Sequence, residues 1–202
     1  RIGKSALISK AVKFFDGTVI NHLCVKSTYE GNLSLLSRSV CTSLSLPQIE
    51  FKTIFDLFDF LKSQNKKILL VLDEYQYFKQ SLKDTSLDSY LQSIIDSLPE
   101  NIKIILCGSF ITLMKELLEE SNPLFGRFTL SIHLQEFDYL DSSRFYTDLT
   151  YSEKIAFYSV FGGSPYVLTN LDYKISLQEN IKKYLINQNS IFNFVKNFCY
   201  FK

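Results

Sequence analysis

The chain has almost no net charge, with 22 lysines and arginines against 21 aspartates and glutamates in 202 residues. Such a balance provides no global field to recruit nucleic acid or a membrane surface. No apolar stretch approaches the ~20 residues of a membrane-spanning helix. Cysteine is scarce and scattered: Cys24, Cys41, Cys107 and Cys199 show no C-x-x-C spacing, and only His22 and His133 could assist them on a metal. That scatter fits reduced, buried thiols of a cytoplasmic protein better than a disulfide framework or a zinc site. Repeats and low-complexity tracts are absent, apart from a Ser/Leu-rich patch at Leu33–Leu46 that reads as helix. The length leaves room for one α/β domain and a small appendage.

What the chain does have is a run of five apolar residues, Ile68-Leu69-Leu70-Val71-Leu72, that stops at Asp73-Glu74. A continuous run of this kind reads as a strand buried on both faces, as at the centre of a parallel sheet. Its carboxyl end is where open α/β sheets bind ligands. Two adjacent acids there suit phosphoryl transfer: the first can hold Mg²⁺, and the second can polarise an attacking water. The alternative is a pair of acids that merely opens a solvated loop.

The beginning of the chain bears on that choice. Gly3-Lys4-Ser5 precedes a helical pattern through Phe15 and matches the second half of the phosphate loop G-x-x-x-x-G-K-[ST]. Gly3 would let backbone amides close on phosphates at a helix N-terminus. Lys4 would reach the β- and γ-phosphates, and the Ser5 hydroxyl would complete a Mg²⁺ shell. The first glycine of the motif and its strand would precede Arg1, so a fragment cut through its own phosphate loop is expected.

Strand and helix patterns alternate downstream. Thr18–Val25, Ile68–Leu72 and Ile102–Leu106 read as strands, with Phe128–Leu134 as an outer strand. Helical periodicity covers Asn32–Leu44, Ile54–Leu61, Leu87–Leu98 and Phe110–Glu120. This order predicts βαβ units and a parallel sheet. After about Asp138 the pattern turns helical: Thr150 starts a helix through Phe161, Gly162-Gly163-Ser164-Pro165 interrupts, and Leu177–Asn187 and Ile191–Phe198 follow. A core over 1–138 and a helical lid over 139–202 are expected. Ser109 closes the third strand and either senses a γ-phosphate or caps the next helix. Arg127, in a Pro/Gly loop, either supplies charge to a transition state, in cis or to a neighbouring subunit, or is a surface arginine. Gly163 and Pro165 either shape a turn against a base or form an ordinary inter-helix turn.

Gly3-Lys4-Ser5, Leu72-Asp73-Glu74-Tyr75, Leu106-Cys107-Gly108-Ser109, Pro123-Leu124-Phe125-Gly126-Arg127 and Gly162-Gly163-Ser164-Pro165-Tyr166 occur in this order. Together they resemble the archaeal-type ATPase family of STAND-like P-loop NTPases, relatives of the AAA+ class, over nearly the whole chain. The resemblance implies an α/β P-loop NTPase, with a mostly parallel sheet flanked by helices and a small helical lid. It implies ATP and Mg²⁺ as ligands, and ATP hydrolysis coupled to a nucleotide-dependent switch. Gly3, Lys4 and Ser5 become phosphate and Mg²⁺ contacts, Asp73 the Mg²⁺ partner, Glu74 the water-activating acid and Ser109 the sensor. Arg127 falls in the family's loop motif, and Gly163 and Pro165 match the turn by which the lid touches the base. Expected partners are nucleotide and a second copy or another protein; nucleic acid would be reached only through further C-terminal domains, and no membrane is implied. The other readings are a non-catalytic nucleotide-gated interaction module and a degenerate remnant that binds nothing.

Overall fold

A computed structural model describes residues 2–82, 86–187 and 190; the helix expected over Ile191–Phe198 lies outside them. Three strands, β1 (Thr18–Leu23), β2 (Ile68–Asp73) and β3 (Ile102–Leu106), form one parallel sheet in the order β1-β2-β3. Thr18 pairs with Ile68, and Ile68 with Ile102, so the three strands start level. Parallel strands need crossover connections. Helices α2 (Tyr29–Leu44) and α3 (Ile54–Ser63) lead from β1 to β2, and α4 (Tyr75–Lys79) and α5 (Leu87–Asp96) from β2 to β3. The unbroken apolar run makes β2 the central strand: Ile68 through Leu72 are all buried.

Helix packing follows from the periodicity. Leu33, Leu36 and Val40 of α2, Leu57, Phe58 and Leu61 of α3, and Leu91 and Ile94 of α5 join Ile20, Leu70 and Leu72 in one core. Each fully buried Leu or Phe contributes about 1.5–3 kcal/mol. Local signals fix the helix starts. Thr28 caps α2, and Thr53 with Asp56 forms a capping box on α3.

The outer strand expected over Phe128–Leu134 does not form. Its alternating apolar residues are a local pattern, but a strand also needs a neighbouring backbone for its ladder. Among the described residues this segment pairs with none, and Leu130 and Ile132 are exposed. Helix α6 is likewise shorter than expected, at Ile111–Glu116.

The chain divides into two compact units, residues 9–131 and residues 1–8 with 132–202. The division thus differs from an expected boundary after 138. Phe137 N–H donates to Gly163 O at 2.9 Å, tying the segment before Tyr139 into the helical unit. That unit contains α7 (Tyr139–Ser142), α8 (Tyr151–Phe161), α9 (Pro165–Asn170) and α10 (Leu177–Ile181), then a π-helical turn, Lys182–Ile186. Tyr146, Phe157, Phe161, Val167, Leu168, Leu171 and Tyr184 form its core. Helix α1 (Lys4–Val12) begins within this unit and buries no residue. No described helix is long and apolar enough to cross a membrane.

Candidate functional site

The carboxyl ends of the three strands converge on Asp73 and Glu74. Backbone bonds from Cys24 N–H to Asp73 O (2.8 Å), Cys107 N–H to Leu72 O (3.0 Å) and Tyr75 N–H to Cys107 O (2.9 Å) fix this junction from both sides. Asp73 Oδ1 accepts from the Glu74 N–H at 2.9 Å and from Cys107 Sγ at 3.1 Å. Glu74 sits between β2 and α4 at φ 54°, in the left-handed region that non-glycine residues seldom occupy. Backbone strain of this sort costs on the order of 1–3 kcal/mol and clusters at functional sites.

Ser109, one of the expected site residues, is brought to Glu74. Its hydroxyl donates to Glu74 Oε2 at 2.6 Å, and it caps no helix: α6 starts after Phe110 without a side-chain cap. Gln76 Nε2 donates to the same carboxylate oxygen and lies 3.3 Å from Ser109 Oγ. Gln76 was not foreseen. Its sequence signal is an amide two residues past the Asp-Glu pair, on a helix otherwise anchored by the buried Tyr75 and Phe78.

Arg127 is not joined to this cluster. It makes a bidentate pair with Asp96, with Nε to Oδ1 and Nη2 to Oδ2 both at 2.8 Å. Its Nη1 donates to the carbonyls of Pro123 (3.0 Å) and Phe125 (3.3 Å). The guanidinium holds the Asp96 carboxyl below the usual carboxylate range, and Asp96 in turn raises Arg127. The other end of the loop is fastened too. Asn122 Nδ2 donates to the buried Asp88 at 2.9 Å, which also accepts from Tyr75 Oη at 2.7 Å and pairs with Lys79 at 2.8 Å. Helix α5 therefore grips the 122–127 loop through a carboxylate near each of its ends, while Leu124 plugs the middle of the loop into the core. Both acids were passed over in the sequence because helix periodicity marks only the apolar face.

In the helical unit, Gly3 has φ +88°, which favours glycine, and the Leu7 N–H donates to its carbonyl at 3.0 Å to open α1. A Cβ on Gly3 would lie 3.8 Å from Pro165 Cγ, so Gly3 and the proline of the Gly-Gly-Ser-Pro turn are neighbours. Gly163 is required by close approach: a Cβ there would collide with the Phe137 carbonyl oxygen. Pro165 takes the first turn of α9, where its missing N–H costs nothing. Lys4 and Ser5 open α1 directly after Gly3.

The Cys24 thiol, beside the junction, is unreactive by environment. Burial, helped by the charge of Asp73, pushes Cys24 up to about 12. A carboxylate at a strand end, as Asp73 is, offers oxygen, the donor that a hard cation such as Mg²⁺ prefers in company with water and phosphate.

A parallel sheet flanked by helices, with an acidic pair at the carboxyl end of its central strand, is the fold of a P-loop NTPase. Residues 1–171 match the family of ATPase domains found predominantly in Archaea, and the chain belongs to that family. Solved structures with this fold include the Walker-type ATPase PABY2304 of Pyrococcus abyssi, with a TM-score of 0.55 and 19% identity over 90% of this chain and 64% of that one. The Aeropyrum pernix ORC2 protein, solved in ADPNP–ADP complexes, gives a TM-score of 0.51 and 18% identity over 72% of this chain. This chain spans 41% of that protein, so both neighbours extend well beyond it. Comparison with curated proteins gives no match.

Proposed function

We propose that the chain is the ATP-binding and ATP-hydrolysing centre of an AAA+-related, STAND-like regulatory ATPase that acts in the cytoplasm as a nucleotide-dependent switch. The observation that carries this reading is the junction of Asp73, Glu74 and Ser109 at the carboxyl end of the central strand. Gly3, Lys4 and Ser5 hold the phosphates by backbone amides, ammonium and hydroxyl. Asp73 and Ser5 hold Mg²⁺, which when bound offsets the charge on the phosphates. Glu74 accepts the proton of the attacking water, and Ser109 orients that carboxylate. The nearness of Gly3 and Pro165 supports a helical unit that responds to nucleotide. Arg127 acts by clamping its loop to Asp96 rather than as a free finger.

In the full-length protein, Lys4→Ala should weaken Mg·ATP binding by about 1.5–3 kcal/mol, the worth of a charge-assisted contact. Glu74→Gln should leave binding intact and slow turnover by about 10²–10⁴-fold. Calorimetry and steady-state hydrolysis measure the two. Unchanged affinity in Lys4→Ala would sink the phosphate-loop assignment. Unchanged turnover in Glu74→Gln would leave a non-catalytic, nucleotide-gated module. For the clamp, Arg127→Ala and Asp96→Ala should slow turnover by the same factor. A much larger loss in Arg127→Ala, rescued by mixing with Glu74→Gln protein, would instead make it a finger in trans.

A further inference from the structure

Gln76 is fully buried on α4, yet its amide oxygen has no hydrogen-bond partner among the described residues. An apolar side chain would fill this place among Tyr75, Phe78 and the sheet without leaving an orphaned acceptor. The amide nitrogen is what the position uses: Nε2 donates to Glu74 Oε2 and lies 3.3 Å from Ser109 Oγ. The orientation of the amide follows from chemistry. An ionised carboxylate only accepts, so reversing the amide would set oxygen against oxygen. The chain also keeps space for it. A Cβ at Gly108 would collide with Gln76 Oε1 and stand 2.8 Å from Met114 Sδ. Glycine at 108 therefore lets the end of β3 close over the amide while Ser109 reaches the same carboxylate.

We propose that Gln76 is a positioning residue for Glu74. From beneath the junction its amide holds the carboxylate against the Ser109 hydroxyl and so sets the direction in which Glu74 meets the attacking water. Glu74 itself stands just outside the helix, as the residue that precedes α4 at φ 54°, so the helix geometry does not set the direction of its side chain. The proposal rests on the hydrolytic reading above and adds a residue to it.

The test uses two variants of opposite polarity in the full-length protein. Gln76→Met keeps the volume and removes the donor, whereas Gln76→Asn keeps a buried amide one methylene too short to reach. Both should lower kcat by about 10–100-fold, the usual cost of a misdirected group. The Kd for Mg·ATP should stay within about twofold of the parent. Gln76→Met should also unfold at the same temperature as the parent or higher, because its orphaned oxygen is gone. In a Glu74→Gln background neither substitution should slow turnover further, since the carboxylate being aimed is absent. Parental kcat in either variant overturns the proposal. So does an equal loss with and without the Glu74 carboxylate, which would mark a role in folding alone. Loss of turnover in Glu74→Gln itself tests the hydrolytic reading, and that single variant separates the two failures.

Discussion

The sheet-bearing unit, residues 9–131, closes mainly on aliphatic side chains, whereas rings (Tyr146, Phe157, Phe161 and Tyr184) supply most of the helical unit's core. Tyr146, Phe157 and Tyr173 stack there with centroids 5.3–6.2 Å apart. The central strand, buried on both faces, offers no side-chain polar atom before Asp73, so its polar chemistry collects at its end. Rings bring hydroxyls inside. Tyr173 Oη donates to the Leu168 carbonyl at 2.6 Å, and Tyr146 Oη is buried with no partner among the described residues. The units also treat charge differently. Asp88 is fully buried in the first, while the carboxylates Glu153 and Glu179 of the second sit in exposed capping boxes with Thr150 and Ser176.

The contrast can be broken most severely at Asp88. Asp88→Ala removes the acceptor shared by Tyr75, Lys79 and Asn122, and leaves the Lys79 ammonium to its longer pair with Glu116 (3.6 Å) while the Tyr75 hydroxyl and Asn122 amide lose their partner. A loss of about 3–5 kcal/mol is expected. Native-state hydrogen exchange should show it in β2 and α5, with α8 keeping its protection. A loss below about 1 kcal/mol would mean that the cluster does not hold the loop.

Acid should act first on the sheet-bearing unit. His22 is buried against Ser39 Oγ (3.1 Å) with its Nε2 unpartnered, and desolvation lowers it from 6.5 to about 4. Below pH 6.5 the unfolded chain takes up a proton that the folded one refuses. The stabilisation is therefore complete above pH 6.5, declines as pH falls through this window and is gone near pH 4. The total is about 3 kcal/mol. Urea midpoints measured from pH 7 to 4 should show the slope, and His22→Gln should flatten it. An unchanged slope in that variant would place the acid sensitivity elsewhere.

The smallest effect sharpens the comparison from the other side. Thr150→Ala deletes the cap of α8, where Thr150 Oγ1 accepts from the Glu153 N–H at 3.4 Å and the Glu153 carboxylate accepts from Thr150 N–H at 2.8 Å. A cost of about 1 kcal/mol is expected, seen as lost exchange protection in α8 with β2 unaffected. Equal losses in both units would show that they unfold together.

Much of the molecule was readable residue by residue. The run Ile68–Leu72 declares a two-sided strand, Asp73 and Glu74 close it, and Thr150 announces a helix start three residues before its acidic partner Glu153. These signals are local: they depend on periodicity and on atoms a few residues apart. The pattern at Phe128–Leu134 misled because alternation describes a face, while a strand also requires a second backbone beside it.

The sequence by itself determined which segments bury which faces, and that an acidic pair would stand at the end of the central strand. Tertiary structure alone decided what each polar group there would touch. Ser109 meets Glu74 across 35 residues of chain, and Arg127 finds Asp96 across 31. Such contacts depend on strand register and helix placement, where a shift of one residue sends a side chain to the opposite face of the sheet. No local pattern encodes that register; it follows from packing the whole core at once.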